Sequence, residues 1–363
     1  NIPSIVATGR QLCDIELLMS CAFNPVDGFM GSKDFNAVLE NMRLSSGKLW
    51  PMPITLDVSE DFIKSNDISE GSKFLIRDEE GVALAAVSVT EIWEPDKSKE
   101  AMCVYGSTDT DHPGVDYLLN VSEKIYVGGT LEKLEMPRHY DFRDLRHTPE
   151  SLKKEFDRLG WDKIVAFQTR NPMHKAHKEI CYRAASMNGA NLLIHPVVGM
   201  TRPGDVNHYS RVRFYKRILE QFPTDFAFLS LLPLAMRMAG PREALWHALI
   251  RKNYGCSHII IGRDHAGPGN DSGGNPFYGP YDAQDLVEKF KDEIGISMVP
   301  FKMVVYAEGA SDYVSIDEVP DGENVLTISG TEFRQRLENG DDIPDWFSYP
   351  EIVDELRLVY PLQ

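Results

Sequence analysis

Two histidines, His174 and His177, stand where an apolar, strand-like run gives way to a helical pattern. Side chains three residues apart lie on the same side of a helix, and the first turn favours anions through its dipole and free backbone N–H groups. Arg170, just before them, carries a planar guanidinium that suits a tetrahedral oxyanion. The segment therefore predicts an anion site of phosphate size. A zinc site is the weaker hypothesis because the pair is not HExxH, and histidines that merely pack against the helix are the simplest alternative.

A second candidate segment, GRDHAGPG at residues 262–269, also follows an apolar run. Its glycines permit close approach of a ligand to the backbone, and Arg263 and His265 add cationic groups. The segment is neither GxGxxG nor a P-loop, and GxxxxGK[ST] occurs nowhere in the chain. A simple turn between a strand and a helix remains the alternative to a ligand site.

A third group of cations lies between residues 202 and 217, where no acid follows Asp205. We predict that most of this stretch is a helix with a solvated basic face. Arg202 and His208, in the preceding loop, could instead reach a ligand. Together, these segments indicate that three strand ends bring cations to one place.

Cations from three strand ends can meet only if the strands belong to one sheet. The sequence pattern from residue 146 onward predicts such a sheet. Apolar runs alternate there with helical periodicity, which is typical of a parallel sheet covered on both faces. Ligands bind such sheets beyond the carboxyl ends of the strands. The predicted strands cover residues 163–168, 191–198, 225–232, 257–262 and 298–306. The predicted helices cover residues 174–187, 210–220, 241–253 and 281–292.

The regions on either side follow other patterns. Residues 1 to about 140 alternate short apolar runs with turns, which predicts a β-rich domain. From about residue 307, a short strand at 325–328 and a helix capped by Ser329 predict a small C-terminal domain. The predicted N-terminal strands cover residues 50–58, 73–78, 82–93 and 102–106, with helices near 10–21 and 33–42.

Composition excludes several classes of function. The 363 residues include 55 acidic and 38 basic side chains, a formal net charge of −17. Such a chain is a poor binder of nucleic acid or of an anionic membrane, and it can hold a polyanion only where cations are gathered locally. The most apolar stretch, residues 226–236, falls short of the ~20 residues that a spanning helix needs. The five cysteines lack CxxC spacing, which predicts reduced, buried thiols in a cytosolic-type compartment.

Longer motifs resemble the ATP sulfurylase (sulfate adenylyltransferase) family across essentially the whole chain. They are RQLCDIELLMSCAFNPVDGFM, QTRNPMHKAH, LIHPVVGMTRPGDVNHYSRVR, LPLAMRMAGPREALWHALIRKNYG, GRDHAGPG, FYGPYDAQ and ISGTEFR. The resemblance implies an α/β protein in which a PUA-like β-rich domain (1–142) precedes a Rossmann-like nucleotidyltransferase domain with a parallel sheet (143–306) and a small C-terminal α/β domain (307–363). The implied reaction is reversible: sulfate attacks the α-phosphorus of MgATP in line and yields adenosine 5′-phosphosulfate and pyrophosphate.

The resemblance also implies roles for individual residues. Sulfate would be bound by Gln168, Arg170 and the backbone of Ala266. The implied catalytic residues are Thr169, Arg170, Asn171, His174 and His177. The implied ATP-binding residues are Gln168, Thr169, Arg170, Asn171, His174, His177, Gly262, Arg263, Asp264, His265 and Val304.

The chemistry of sulfate limits what else the protein must supply. Sulfate is already ionised, so no general base is required, and Mg²⁺ is expected to arrive with ATP, held mainly by phosphates and water rather than by a metal site of the protein. We expect a cytoplasmic homo-oligomer without nucleic-acid or membrane partners, or an organellar one in a stroma or matrix if a targeting segment precedes the given residues. Two alternatives stay open: an adenylyltransferase for a phosphorylated cofactor precursor, and a nucleotide-binding relic without turnover.

Overall fold

The computed structural model describes residues 2–202 and 204–359. A six-stranded sheet organises the N-terminal part, in the order β1-β4-β5-β6-β2 with β3 also paired to β6. Only β1 and β4 run parallel among its described pairs. The strands are β1 (Ser4–Val6), β2 (Gly28–Phe29), β3 (Leu56–Val58), β4 (Lys73–Arg77), β5 (Ala83–Trp93) and β6 (Ile125–Lys133). The helices are α1 (Gly9–Met19), α2 (Ser32–Asn41), α3 (Glu60–Ser65), α4 (Lys97–Tyr105) and α5 (Pro113–Asp116), followed by a π-helical segment at Tyr117–Val121.

One predicted N-terminal strand is wrong, because residues 102–106 complete helix α4. The Asp96 side chain caps this helix by accepting a hydrogen bond from the backbone N–H of Lys99, and Gly106 ends it with a φ of 73°. Residues 102–106 are too few to show either a helical or a strand period. The caps at the two ends of α4 determine that they form a helix.

A second predicted N-terminal strand is shortened. Of residues 50–58, only Leu56–Val58 pair with a neighbour. Pro51 and Pro53 have no N–H group to donate to a sheet, so the apolar residues around them are buried without joining the ladder.

A five-stranded, wholly parallel sheet forms the centre of the molecule, in the order β11-β10-β7-β8-β9. Its strands are β7 (Ile164–Phe167), β8 (Asn191–Ile194), β9 (Ala227–Leu229), β10 (His258–Ile261) and β11 (Ser297–Pro300). The helices are α6 (Pro149–Leu159), α7 (Lys175–Met187), α8 (His208–Leu219), α9 (Gly240–Asn253), α10 (Asp282–Lys289) and α11 (Lys291–Ile294), with a 3₁₀ turn at Arg143–Leu145. This confirms the predicted parallel sheet. The chain adds β8 and β9 on one side of β7, and β10 and β11 on the other, so the topological switch point lies between β7 and β10.

Both faces of the central sheet are covered, as predicted. In β7, Ile164 and Ala166 join a core shared with the N-terminal part, whereas Val165 and Phe167 join a second core that includes the C-terminal helices. Alternate residues of a strand point to opposite faces, which explains the near-continuous apolar pattern of these strands.

The C-terminal part is a small α/β unit. Its three-stranded antiparallel sheet has the order β13-β12-β14, and Ser329 caps the first helix by accepting from the N–H of Glu332. The strands are β12 (Val304–Ala307), β13 (Asp312–Ser315) and β14 (Val325–Leu326). The helices are α12 (Gly330–Asn339) and α13 (Pro350–Arg357), and a 3₁₀ turn spans Ile316–Glu318.

The strand predicted over 298–306 is wrong, since β11 and β12 divide it between two sheets. Pro300 ends β11 and cannot donate a ladder hydrogen bond. The proposed domain boundary after residue 306 therefore falls inside β12, and the domain division stays a prediction. The helix predicted over 281–292 is likewise two helices, α10 and α11, which meet at Phe290.

The cysteines are all free thiols, but the predicted burial holds only for Cys181 and Cys256. Cys21 is exposed and the remaining two are half-buried. Across residues 2–202 and 204–359, no helix combines the length and the apolar character that crossing a membrane requires.

Candidate active site

A cavity of about 290 Å³ lies at the carboxyl ends of β7 and β10, at the switch point of the central sheet. It joins the QTRN turn after β7 to the GRDHA segment after β10, which are far apart in sequence. Every residue implied for the site lines this cavity except His174: Gln168, Thr169, Arg170, Asn171, His177, Gly262, Arg263, Asp264, His265, Ala266 and Val304.

Two further cavities share Arg170 and Asn171 with the first. One, of about 550 Å³, extends along the 262–269 segment to Arg202. The other, of about 430 Å³, lies between the histidine pair and helix α12, and His174 lines it. Arg170 and Asn171 therefore stand where three cavities meet.

The turn after β7 is held by its own hydrogen bonds. The Thr169 hydroxyl donates to the backbone oxygen of Asn171 at 3.0 Å and accepts from its N–H at 3.2 Å. The Tyr215 hydroxyl donates to the same backbone oxygen at 2.9 Å. Thr169 thus shapes the turn that presents Arg170 to the cavities.

The basic stretch forms a helix with a solvated face at Arg213, Lys216 and Arg217, as predicted, but Arg211 departs from that prediction. Arg211 is 2% exposed, and its Nη1 donates to the backbone oxygen of Arg170 at 3.0 Å. The backbone oxygen of Arg170 has no other hydrogen-bond partner in the described chain. Arg211 is therefore buried because it satisfies this acceptor. His208 is the first residue of α8 and contacts Asp141 at 2.9 Å, away from the three cavities. Arg202 does line two of them.

Asp205 occupies the anion-binding side of Arg170. The Nη1 atom of Arg170 lies 2.5 and 2.6 Å from the two carboxylate oxygens, and the side chains are only 16% and 12% exposed. The same carboxylate accepts from the backbone N–H of Arg202 at 3.1 Å. Sequence reasoning missed this pair, although Asp205 is the last acid before the basic stretch, which was the available signal.

The two histidines form a neutral, donor-bearing pair at the start of α7. The backbone N–H of His174 donates to Nδ1 of His177 at 3.3 Å. In a neutral ring the proton then resides on Nε2, which is left as a donor. Burial lowers the pKa of His177 from 6.5 to about 4, and burial together with the neighbouring His177 lowers the pKa of His174 well below its usual value. The His174 ring stacks on Phe347, with centroids 4.4 Å apart, which ties the pair to the C-terminal part.

The GRDHA segment folds into a concave turn of backbone N–H groups. Asp264 and Ala266 adopt left-handed conformations with φ of 52° and 54°, and the N–H of Asp264 donates to Pro280 at 2.9 Å. In the described part of the chain, the N–H groups of His265 and Ala266 donate to no other residue. Turns of this kind bind anions. A Cβ on Gly262 would meet nothing within 4 Å, so that position opens onto free space.

Helix α9 contributes residues that sequence reasoning missed. Arg251 contacts the side chain of Gln168, and His247 contacts His265 at 3.0 Å. Their signal was available in GPREALWHALIRKN, where Glu243, His247 and Arg251 follow one another at four-residue intervals.

The switch-point cavity, its cations and its open N–H groups give this α/β protein a site suited to phosphate-like anions. A family model described as ATP-sulfurylase matches residues 143–358, and one described as a PUA-like domain matches residues 1–136. The chain belongs to the ATP-sulfurylase family.

Individual relatives agree with this assignment. The chain is 53% identical over 362 residues to a sulfate adenylyltransferase of Yarrowia lipolytica and to one of Mycosarcoma maydis, covering 99% of this chain and 63% of each relative. It therefore spans slightly less than two-thirds of the length of these curated relatives. A solved structure described as a hexameric APS kinase from Thiobacillus denitrificans superposes with a TM-score of 0.81 and 31% identity, covering 100% of this chain and 64% of that one.

Proposed function

We propose that this chain catalyses sulfate adenylyl transfer, in which MgATP and sulfate yield adenosine 5′-phosphosulfate and pyrophosphate. The observation that carries the proposal is the position of Arg170, a cation at the junction of the three cavities and beside the GRDHA segment. Membership of the ATP-sulfurylase family, and relatives named sulfate adenylyltransferase, support the choice of sulfate.

At the sulfate end, Arg170, Gln168 and the N–H of Ala266 would hold the oxyanion. Because Arg170 contacts Asp205, sulfate must displace or share that carboxylate. The binding energy would overcome the repulsion between sulfate and the triphosphate and hold the two in line.

At the nucleotide end, the residues after β10 would hold ATP, and the histidines would face its phosphates. A sulfate oxygen forms the new bond to the α-phosphorus, and the bond from that phosphorus to the β-phosphate oxygen breaks. Pyrophosphate leaves with the electron pair, and no proton moves. Charge grows on the leaving group, where donors such as Nε2 of His177 stabilise the transition state. The residues proposed for ATP are Gln168, Thr169, Arg170, Asn171, His174, His177, Gly262, Arg263, Asp264, His265 and Val304.

Mg²⁺ would enter as part of the substrate MgATP. Among the residues described, no three His, Cys, Asp or Glu side chains are grouped to hold a metal ion. Mg²⁺ usually binds with nucleotides through phosphates and water, and we propose that it binds in that way here.

Assembly and location complete the proposal. We propose a homo-oligomer, by analogy with the structural neighbour, which is a hexameric APS kinase, and a cytoplasmic location or an organellar stroma or matrix. Light scattering at several protein concentrations tests the first point, and a monomer at all of them would contradict it.

Exchange of labelled pyrophosphate into ATP separates the proposed activity from its two alternatives. We expect exchange that depends on sulfate. Exchange that depends instead on a phosphorylated cofactor precursor would identify the other adenylyltransferase. Nucleotide binding without exchange under any of these conditions would identify the relic.

A further inference from the structure

Three polar residues of α9 form a buried stripe beneath the site. Glu243, His247 and Arg251 follow one another at four-residue intervals, so they share one face of the helix. Each is 0% exposed. Charged side chains are almost never buried to this degree unless they are paired, so the α9 stripe requires an explanation.

Arg251 is the member that faces the oxyanion end. Its Nη2 donates to Oε1 of Gln168, and to the backbone oxygen of His195 at 3.1 Å. Its Nε and Nη1 have no hydrogen-bond partner in the described chain, and no described carboxylate lies within ion-pair distance of it. Burial lowers the pKa of Arg251 to about 10, and an uncompensated buried cation is costly to the fold.

The contact with Arg251 determines which end of the Gln168 amide serves the cavity. A guanidinium only donates, so the atom of Gln168 that faces it must be the acceptor Oε1. The amide NH₂ is then left for the cavity, where it lies 3.8 Å from the Met236 sulfur. An NH₂ group binds an oxyanion, whereas the opposite orientation would present an oxygen and repel it.

His247 performs the corresponding role at the nucleotide end. Its Nδ1 lies 3.0 Å from Nε2 of His265, and its Nε2 lies 3.2 Å from Oε1 of Glu243, although off the angle of a hydrogen bond. Glu243 is itself held by the N–H groups of Arg237 and Ala239, at 3.0 and 2.8 Å. A carboxylate favours the tautomer with the proton on Nε2 of His247, so Nδ1 accepts and the His265 ring is held in one orientation.

We propose that the α9 stripe is the positioning element of the active site. Arg251 acts through Gln168 on the oxyanion, and His247 acts through His265 on the nucleotide. The inference rests on the proposed function, since its readout is the use of sulfate and ATP. A purely structural role would instead lower stability and leave the two substrates equally affected.

The first test compares Michaelis constants in the pyrophosphate-exchange assay. Arg251→Met should raise the KM for sulfate about tenfold, the scale of one lost charge-assisted hydrogen bond, and should raise the KM for ATP clearly less, because Gln168 is only one of many residues proposed for ATP. Arg251→Lys, which keeps a donor, should lie between. His247→Phe should raise the KM for ATP and leave that for sulfate nearly unchanged. Equal shifts for both substrates in each variant would overturn the proposal.

A double-mutant cycle tests whether Arg251 acts through Gln168. If it does, adding Arg251→Met to Gln168→Leu should raise the KM for sulfate little further, because coupled residues are not additive. Fully multiplied effects would contradict the proposal. Should Arg251→Met fail to fold, Arg251→Lys carries the same test, and a shift for sulfate no larger than that for ATP would overturn the proposal.

Arg242 offers a matched control on the same helix. It is also a buried arginine, with its pKa lowered to about 10 by burial, but its guanidinium donates to backbone oxygens of Val38, Leu39 and Cys103. Arg242→Met should lower the thermal midpoint and leave both Michaelis constants unchanged. Absence of exchange in the unaltered protein would refute the proposed function, whereas normal exchange with no selective shift in Arg251→Met would refute only the inference.

Discussion

Replacing Asp205 by Asn should tighten sulfate binding. In the structure, this carboxylate holds Arg170 at 2.5 and 2.6 Å, so sulfate has to break that contact before it can use the guanidinium. Asn keeps a side-chain oxygen that can accept from the N–H of Arg202, so the loop retains that local hydrogen bond. The variant removes the competing charge while it disturbs the turn little.

The magnitude follows from the burial of the pair. At 16% and 12% exposure, the side chains are largely shielded from water, and a hydrogen bond to a charged group contributes about 1.5–3 kcal/mol. Sulfate must break this hydrogen bond in the unaltered protein, but water then solvates the released Asp205 carboxylate and offsets part of the lost free energy. We therefore expect a net gain of about 1.4 kcal/mol, which lowers the KM for sulfate roughly tenfold.

Initial rates at saturating ATP and varied sulfate measure the effect. Asp141→Asn is the matched control, since Asp141 is also half-buried and contacts Arg146 and His208 at 2.9 Å but lines none of the three cavities. We expect the control to change stability alone. An unchanged or higher KM for sulfate in Asp205→Asn would refute the idea that this carboxylate competes with substrate.

Four further predictions concern the site, the buried histidines and the reaction. Arg170→Ala should abolish sulfate-dependent turnover in a folded protein, and Lys should restore little because it lacks the planar fork; activity above about a tenth of the unaltered level would contradict the role of that fork. His174→Ala and His177→Ala should each lower kcat roughly 10²-fold, with Asn less severe, whereas normal kcat with a lower thermal midpoint would indicate packing alone. His112 is fully buried, and burial lowers its pKa from 6.5 to about 4. The unaltered protein should therefore be more stable than His112→Gln by its full margin above pH 6.5, and this margin should shrink by up to ~3 kcal/mol as pH falls toward 4. Chemical denaturation of both proteins across that range measures the difference, and a difference that does not change with pH would contradict the assignment. These 363 residues should not phosphorylate adenosine 5′-phosphosulfate, since they contain no GxxxxGK[ST] sequence, and chromatographic detection of the 3′-phosphorylated product would refute this.

The central sheet could be predicted because its buried strands carry unbroken apolar runs between helical patterns. Residues 257–262 and 163–168, for example, became β10 and β7 with small changes at their ends. Short apolar runs were ambiguous: residues 102–106 joined a helix because Asp96 and Gly106 cap it. No local pattern could show that residues 298–306 divide between two sheets, since pairing partners lie elsewhere in the chain.

The candidate site, like the fold, could be predicted from the sequence only in part. The strand-end rule placed Arg170 and Arg263 beside one cavity, because the ends of parallel strands meet at one edge of a sheet. Asp205 and Arg251 contact the site through side chains that arrive from a loop and from the interior of a helix. Charge and spacing identified Arg211 as basic but could not tell a solvated cation from one buried against the backbone of Arg170.

Isotopic labelling of sulfate tests the proposed reaction most directly. The purified chain is incubated with MgATP and sulfate labelled with ¹⁸O at every oxygen, and the adenosine 5′-phosphosulfate is analysed by mass spectrometry. Direct attack of a sulfate oxygen on the α-phosphorus predicts a product that retains every labelled oxygen, and Arg170→Ala should form almost none. A product that has lost one label, or no product at all from the unaltered chain, would contradict the account.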